Sequence, residues 1–224
     1  MLYFHHANGS FHAVTTVDIT VYYKYETNGM FYPFPRGFQM RAGNAKATAP
    51  EPQRAVKWRC LNGALNEVTP GLPTKPCSDG LRAEIDFPNC WNGEVKDDNS
   101  HMAFATNRMP GQDNGVQGRC PASHPYKVPR LFYEVMFKID EARFPRAQAK
   151  NPQQPFVLST GDSTGYALHG DFMNGWVPRF LARVLRTCDG ADGANLASGE
   201  PSTCFVDVVG AWLPKLPGNN PVKP

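Results

Sequence analysis

Leu131-Phe132-Tyr133-Glu134-Val135-Met136-Phe137-Lys138-Ile139 decides the fold class of this chain. Leu131, Tyr133, Val135, Phe137 and Ile139 alternate with Phe132, Glu134, Met136 and Lys138. A period of two places each set on one face of a β-strand. The second face is itself largely apolar, which predicts a central strand covered on both sides. Leu81 to Phe87 (LRAEIDF) has the same period with a charged partner face. Leu81, Ala83, Ile85 and Phe87 point one way, and Arg82, Glu84 and Asp86 the other. That pattern predicts a half-buried strand with a polar outer face.

Outward from these two strands the pattern stays β-like. Val14 to Tyr25 is rich in β-branched and aromatic residues and reads as one or two strands, and Ala55 to Cys60 as a short one. Phe31 to Phe38 is aromatic but broken by Pro33 and Pro35, so it reads as a loop or irregular edge. Gly43 to Gln53 is polar and reads as a surface loop. One helix is expected, from Val177 to Cys188. Val177, Phe180, Leu181, Val184, Leu185 and Cys188 form its apolar face, opposite Arg179, Arg183 and Arg186. The 20 Gly and 21 Pro among 224 residues exclude a long helical bundle. The expected fold is mainly β: a disulfide-stapled β-sandwich or jelly-roll-like domain with long loops and one C-terminal amphipathic helix. Residues 1–208 are assigned to one domain and residues 209–224 to a Pro-rich, disordered tail.

Charge and cysteine bound the function. The net charge is only +3 and the basic residues are dispersed. No basic stripe marks a nucleic-acid binder, and no apolar run is long enough for a membrane span. The six cysteines, Cys60, Cys77, Cys90, Cys120, Cys188 and Cys204, form no CxxC pair. Three disulfides are therefore expected, with the pairing left open, and with them an oxidising compartment outside the cell. The sequon Asn8-Gly9-Ser10 agrees with that compartment and makes Asn8 a candidate glycosylation site. Met1 to Asn8 lacks the basic and apolar runs of a secretory signal, so the signal has been removed or the chain is shortened.

Five segments together carry a resemblance. They are Cys77 to Ala83 (CSDGLRA), Phe87 to Gly93 (FPNCWNG), Ser100 to Ala103 (SHMA), Cys120 to Pro125 (CPASHP) and Gly161 to Trp176 (GDSTGYALHGDFMNGW). In this order the chain resembles the fungal "domain of unknown function 1996" family from about Leu2 to Cys204. The resemblance implies a secreted fungal protein, often joined to a WSC-type carbohydrate-binding module, with no established activity. Two departures stand out. The family's N-terminal segment with an HxH-type motif is absent. A longer acidic, histidine-bearing stretch before the SHM motif is replaced by Lys96-Asp97-Asp98-Asn99.

Three motif histidines, His101, His124 and His169, join Asp171 as the candidate catalytic group. Imidazole titrates near neutrality and suits proton transfer. The same histidines are candidate ligands for a divalent metal. The bland alternative is that each bonds backbone in a loop-rich fold. Glycosidases use two carboxylates, and Asp162, Asp171, Glu84 and Glu134 are available. Glu134 is equally readable as the partner of Arg82 in a plain ion pair. Trp91 and Trp176 lie in Gly/Asn-rich loops, where flat rings suit a sugar face. With Arg82 they are the candidate substrate-binding residues, although Trp176 also reads as a staple at the helix entry. Trp58 reads as core. Three functions follow: a secreted polysaccharide hydrolase or lyase, a non-catalytic cell-wall glycan binder or surface protein, and a metal-binding surface protein.

Overall fold

The computed structural model describes residues 1–25, 29–51, 55–63, 66–106 and 118–187. In chain order its strands are β1 (Leu2–His5), β2 (Phe11–Ala13), β3 (Thr16–Lys24), β4 (Gln39–Gly43), β5 (Val56–Leu61), β6 (Glu67–Thr69), β7 (Gly80–Asp86), β8 (Cys90–Trp91) and β9 (Met102–Ala103). They continue with β10 (Tyr126–Lys127), β11 (Arg130–Phe137), β12 (Phe156–Leu158) and β13 (His169–Met173), and the helix α1 (Pro178–Thr187) follows. Cys188, Cys204 and the predicted tail lie outside the described residues.

The largest sheet has the order β3-β11-β7-β5-β6, antiparallel throughout. Its register sets Ile19 beside Val135, Val135 beside Ala83, and Ala83 beside Trp58. One face is therefore apolar, because side chains alternate along each strand. Two smaller sheets cover that face. Leu2 and Phe4 of β1 and Phe156 and Leu158 of β12 share a buried cluster with Trp58, Leu81 and Phe137. Met40 and Ala42 of β4 and Phe172 of β13 share a second with Ile85 and Leu131, and Leu181 and Leu185 of α1 join it. The result is a mainly β sandwich, on which α1 packs through Leu181 and Leu185. Arg179, Arg183 and Arg186 face solvent, as the helical period predicts.

Two glycines allow the layers to meet. Gly43 ends β4 at φ 80°, and a Cβ there would lie 2.4 Å from the Leu168 carbonyl oxygen. Gly165 has the same φ, and its carbonyl accepts a 3.0 Å hydrogen bond from the buried Trp58 indole. A Cβ at Gly165 would lie 2.7 Å from that indole nitrogen, so only glycine lets the 161–165 loop sit on the core. Disulfides Cys60–Cys77 and Cys90–Cys120 each close a loop.

The charged face of Leu81–Phe87 differs from its expected exposure. Glu84 and Asp86 are fully buried. In the register Glu84 stands beside Glu134, and Arg59 beside Arg82, and like charges directly opposite repel. Diagonal, same-strand and directly opposite cations resolve the conflict. Arg82 reaches Glu84 at 2.6 Å and Glu134 at 3.0 Å. Arg59 reaches Glu84 at 2.5 Å and Lys57 reaches it at 3.2 Å. Asp86 is paired with buried Arg130. A carboxylate stays buried because three cations surround it, which is the general condition for burying charge. Short period-two patterns do not distinguish a solvated charged face from an ion-paired one.

Burial alone would raise the Glu84 carboxyl, but hydrogen bonds from Arg59 and Arg82 and the charges of Lys57 and Arg82 hold it below its ordinary value of 4.5. A lowered folded-state value means that its contribution is whole above pH 4.5 and is lost as pH falls through the folded value. Urea midpoints measured against pH should therefore fall as pH drops below about 4.5. Stability that holds or rises over that range would contradict the arrangement.

Candidate functional site

The segment Gly161 to Trp176 supplies β13, which pairs with β4, and Ser100 to Ala103 docks on the other side of β4 through His101. Arg41 of β4 is met on its free side by Asn99, whose side-chain oxygen accepts the Arg41 N–H at 2.7 Å and whose amide donates to the Arg41 carbonyl at 3.1 Å. Asn99 adopts φ 67°, a left-handed conformation that asparagine tolerates better than most residues. The Arg41 guanidinium donates to the Asp97 carbonyl at 3.0 Å. One residue beyond Ser100, His101 Nε2 donates to the Gln39 carbonyl at 2.9 Å. The loop 97–101 thus docks on β4 through side chains, much as another strand would dock through its backbone.

His101 is fully buried against the Phe38 ring. With Nε2 protonated, its Nδ1 carries a lone pair, and that atom has no hydrogen-bond partner among the described residues. Burial lowers the His101 pKa, against the raising effect of the Gln39 carbonyl. His124 is close by: its Nε2 donates to the Ser100 carbonyl at 3.0 Å, and Ser123 Oγ donates to its Nδ1 at 2.9 Å. The Cys90–Cys120 disulfide ties this loop to β8. His169 and Asp171 share one side of β13, and His169 Nδ1 donates to the Ala167 carbonyl at 3.0 Å. Asp171 is exposed, stands opposite Arg41, and lines a hollow of about 430 Å³ with Arg41, Asp97 and Asn99. Burial pushes the neighbouring Tyr133 phenol up to about 12, so it stays a neutral donor toward the Asp171 carbonyl.

Each of the three histidines donates to a backbone carbonyl. His101 and His124 are neighbours, and His169 sits on β13 with Asp171. No three His, Cys, Asp or Glu side chains among the described residues lie close enough to hold a metal ion. Asp162 accepts the Thr164 N–H and hydroxyl and the Ala167 N–H, which shapes its own loop. Arg82 and Glu134 are the ion pair that sequence spacing allowed. Trp176 stacks on Phe180 and meets Tyr23 edge-on, which places it at the helix entry. Trp91 is half-buried between Phe38 and Tyr126, and its indole donates to the Glu94 carbonyl.

A larger hollow, of about 580 Å³, lies elsewhere and draws on residues that the motif reading passed over. Its floor is the outer face of the sheet β12-β1-β2. Leu2 and Phe4 of β1 point into the core, so Tyr3 and His5 must point out. His5 and Phe11 are cross-strand partners whose rings stack at 4.5 Å and 18°. Asn151 and Gln154 contribute from one loop, and Ser159 and Ser163 from another. The signal was present as alternation in Leu2-Tyr3-Phe4-His5, too short a run to stand out beside Val14–Tyr25. Trp91, Trp176 and Arg82 do not line this hollow.

Ring-nitrogen titration followed by NMR checks the electrostatics of the docked loop. His101 should protonate with a midpoint below 6.5, its ordinary value. Its contribution to stability is then whole above pH 6.5 and lost as pH falls through the folded value. A midpoint at or above 6.5 would contradict its burial.

No curated protein and no solved structure matches the chain. A family model described as a domain of unknown function, 1996, matches residues 1–176 and so takes in β1 to β13 and both hollows. The chain belongs to the domain of unknown function 1996 family.

Proposed function

We propose that this protein is an extracellular glycan-binding module that holds a neutral saccharide in the hollow over β12-β1-β2. The observation that carries this reading is the His5–Phe11 stack on the floor of that hollow. Phe11 is 58% exposed, so its ring is open to a ligand in the hollow. The C–H face of a pyranose packs on such a ring, while its hydroxyls need amides and hydroxyls at the rim. Asn151 and Ser163 supply them: the Asn151 amide N–H₂ and the Ser163 hydroxyl make no hydrogen bond among the described residues. No Asp, Glu, Lys or Arg lines the hollow, which favours an uncharged ligand. Its volume falls within the roughly 300–1,000 Å³ usual for small-ligand sites.

Catalysis by paired carboxylates has less support, because a glycosidase sets two carboxylates about its ligand and none lines the larger hollow. Asp162 shapes a loop, Glu84 and Glu134 sit in the sheet network, and Asp171 lines the other hollow with Asp97 and Arg41, away from the His5–Phe11 stack. Disulfides support an oxidising compartment. Asn8 of the sequon sits exposed in the β1–β2 turn, where its side chain accepts the Ser10 N–H at 2.9 Å. A cell-wall polysaccharide is the source of the saccharide that we infer.

Calorimetry with a panel of neutral and charged oligosaccharides, paired with product analysis, tests the proposal. Binding to a neutral glycan without release of products is expected, and Phe11→Ala should weaken it about tenfold or more, some 1.4 kcal/mol. Binding that survives Phe11→Ala unchanged, or affinity for charged glycans only, would overturn the assignment. Release of products would move the reading to a hydrolase or lyase.

A further inference from the structure

We propose that the outer edge of β3 pairs with β3 of a second copy, joining two five-stranded sheets across a two-fold axis at Val21. β3 is nine residues long and forms one edge of the largest sheet, with β11 as its one partner among the described residues. Ile19 and Val21 lie on the sheet's apolar face opposite Val135 and Tyr133, yet they are 62% and 42% exposed, and Val17 at the register irregularity is 57% exposed. A long edge with uncovered β-branched residues is a template for another strand. Proteins that remain monomeric blunt such edges with proline, bulges or clustered charge. Between Thr16 and Lys24 there is no proline, and the one irregularity in the β11 register lies at the Thr16 end.

Charge selects a second copy as the partner and sets its register. β3 carries one acid and one base, Asp18 and Lys24. Antiparallel pairing of two copies about Val21 puts Asp18 of each opposite Lys24 of the other. It also puts Ile19 opposite Tyr23, Thr20 opposite Tyr22, and Val21 opposite Val21. Opposite charges and β-branched or aromatic residues directly across from one another are the favoured cross-strand pairs. Asp18 accepts only the Thr20 hydroxyl among the described residues, at 3.0 Å. Lys24 Nζ rests 4.8 Å from the Phe132 ring centre, on the same face as Asp18, so its reach is along the face where the new carboxylate arrives. Because the patch is self-complementary, the contact is isologous and closes at two copies. Shifting the axis by one residue, to Thr20, would place Asp18 opposite Tyr22 and lose both ion pairs.

Sedimentation and light scattering of the intact chain over a wide concentration range test the proposal. Particles of twice 24.8 kDa are expected, falling to single chains in Asp18→Lys, with the dimer restored in Asp18→Lys/Lys24→Asp. Circular dichroism of each variant establishes that it is folded. Val21→Cys should cross-link two copies under oxidising conditions, while Thr20→Cys should not. A single chain at every concentration overturns the proposal, whether the edge stays in water or another segment of this chain takes it. A dimer that is indifferent to Asp18→Lys, or that cross-links through Thr20→Cys alone, overturns the register.

Discussion

Glu84 lies at the centre of the largest sheet without water around it, and a buried carboxylate persists only where cations meet it. Lys57 and Arg59 approach it from β5, and Arg82 from its own strand. Arg82 continues to Glu134 on β11. Three strands are therefore linked through one side chain on the face away from the core. The opposite face of the same strands carries Trp58, Ala83 and Val135, against which the smaller sheets pack. The hydrophobic layer and the ionic layer thus rely on one register, since a slip of a single residue would exchange them. Such a network favours a particular alignment more than it adds stability, because removing ions from water costs about as much as their attraction returns.

Alternation on the covering sheets then decides where ligand-facing side chains go. β1 sends Leu2 and Phe4 inward and presents Tyr3 and His5 outward over the larger hollow. β13 buries Gly170 and Phe172 and presents Asp171 and Met173 to the smaller one. The motif Gly161 to Trp176 serves both: its first residues edge the larger hollow, and its later ones form β13. A single ordered stretch thereby couples the placement of two surface hollows to the same core.

Much of this was legible in the chain. The period of Leu131–Ile139 correctly marks an interior strand, and that of Val177–Cys188 marks the helix now bounded as Pro178–Thr187. Four of the six cysteines are paired, and Cys188 and Cys204 lie outside the described residues. Other features were not legible, for identifiable reasons. β4 and β13 include Gly43 and Gly170, which weaken a strand pattern, and their pairing depends on contacts far along the chain. Arg82, Glu84 and Asp86 read as a wet face because alternation reports sidedness and not what lies beyond each side. His101 reads as chemistry, and its ring also docks a loop on β4, as the Asn99 amide does. A motif rich in His and Asn is what such docking needs, since each presents a donor at a fixed angle to a backbone carbonyl.

The dependence of the sheet on its buried carboxylate is open to one direct measurement, the unfolding free energy of Glu84→Gln by urea titration near neutral pH. Removing the charge leaves Lys57, Arg59 and Arg82 facing one another across two strands, and a loss of about 3–5 kcal/mol is predicted. A change within about 0.5 kcal/mol, the range of an ordinary surface substitution, would contradict the role given to Glu84.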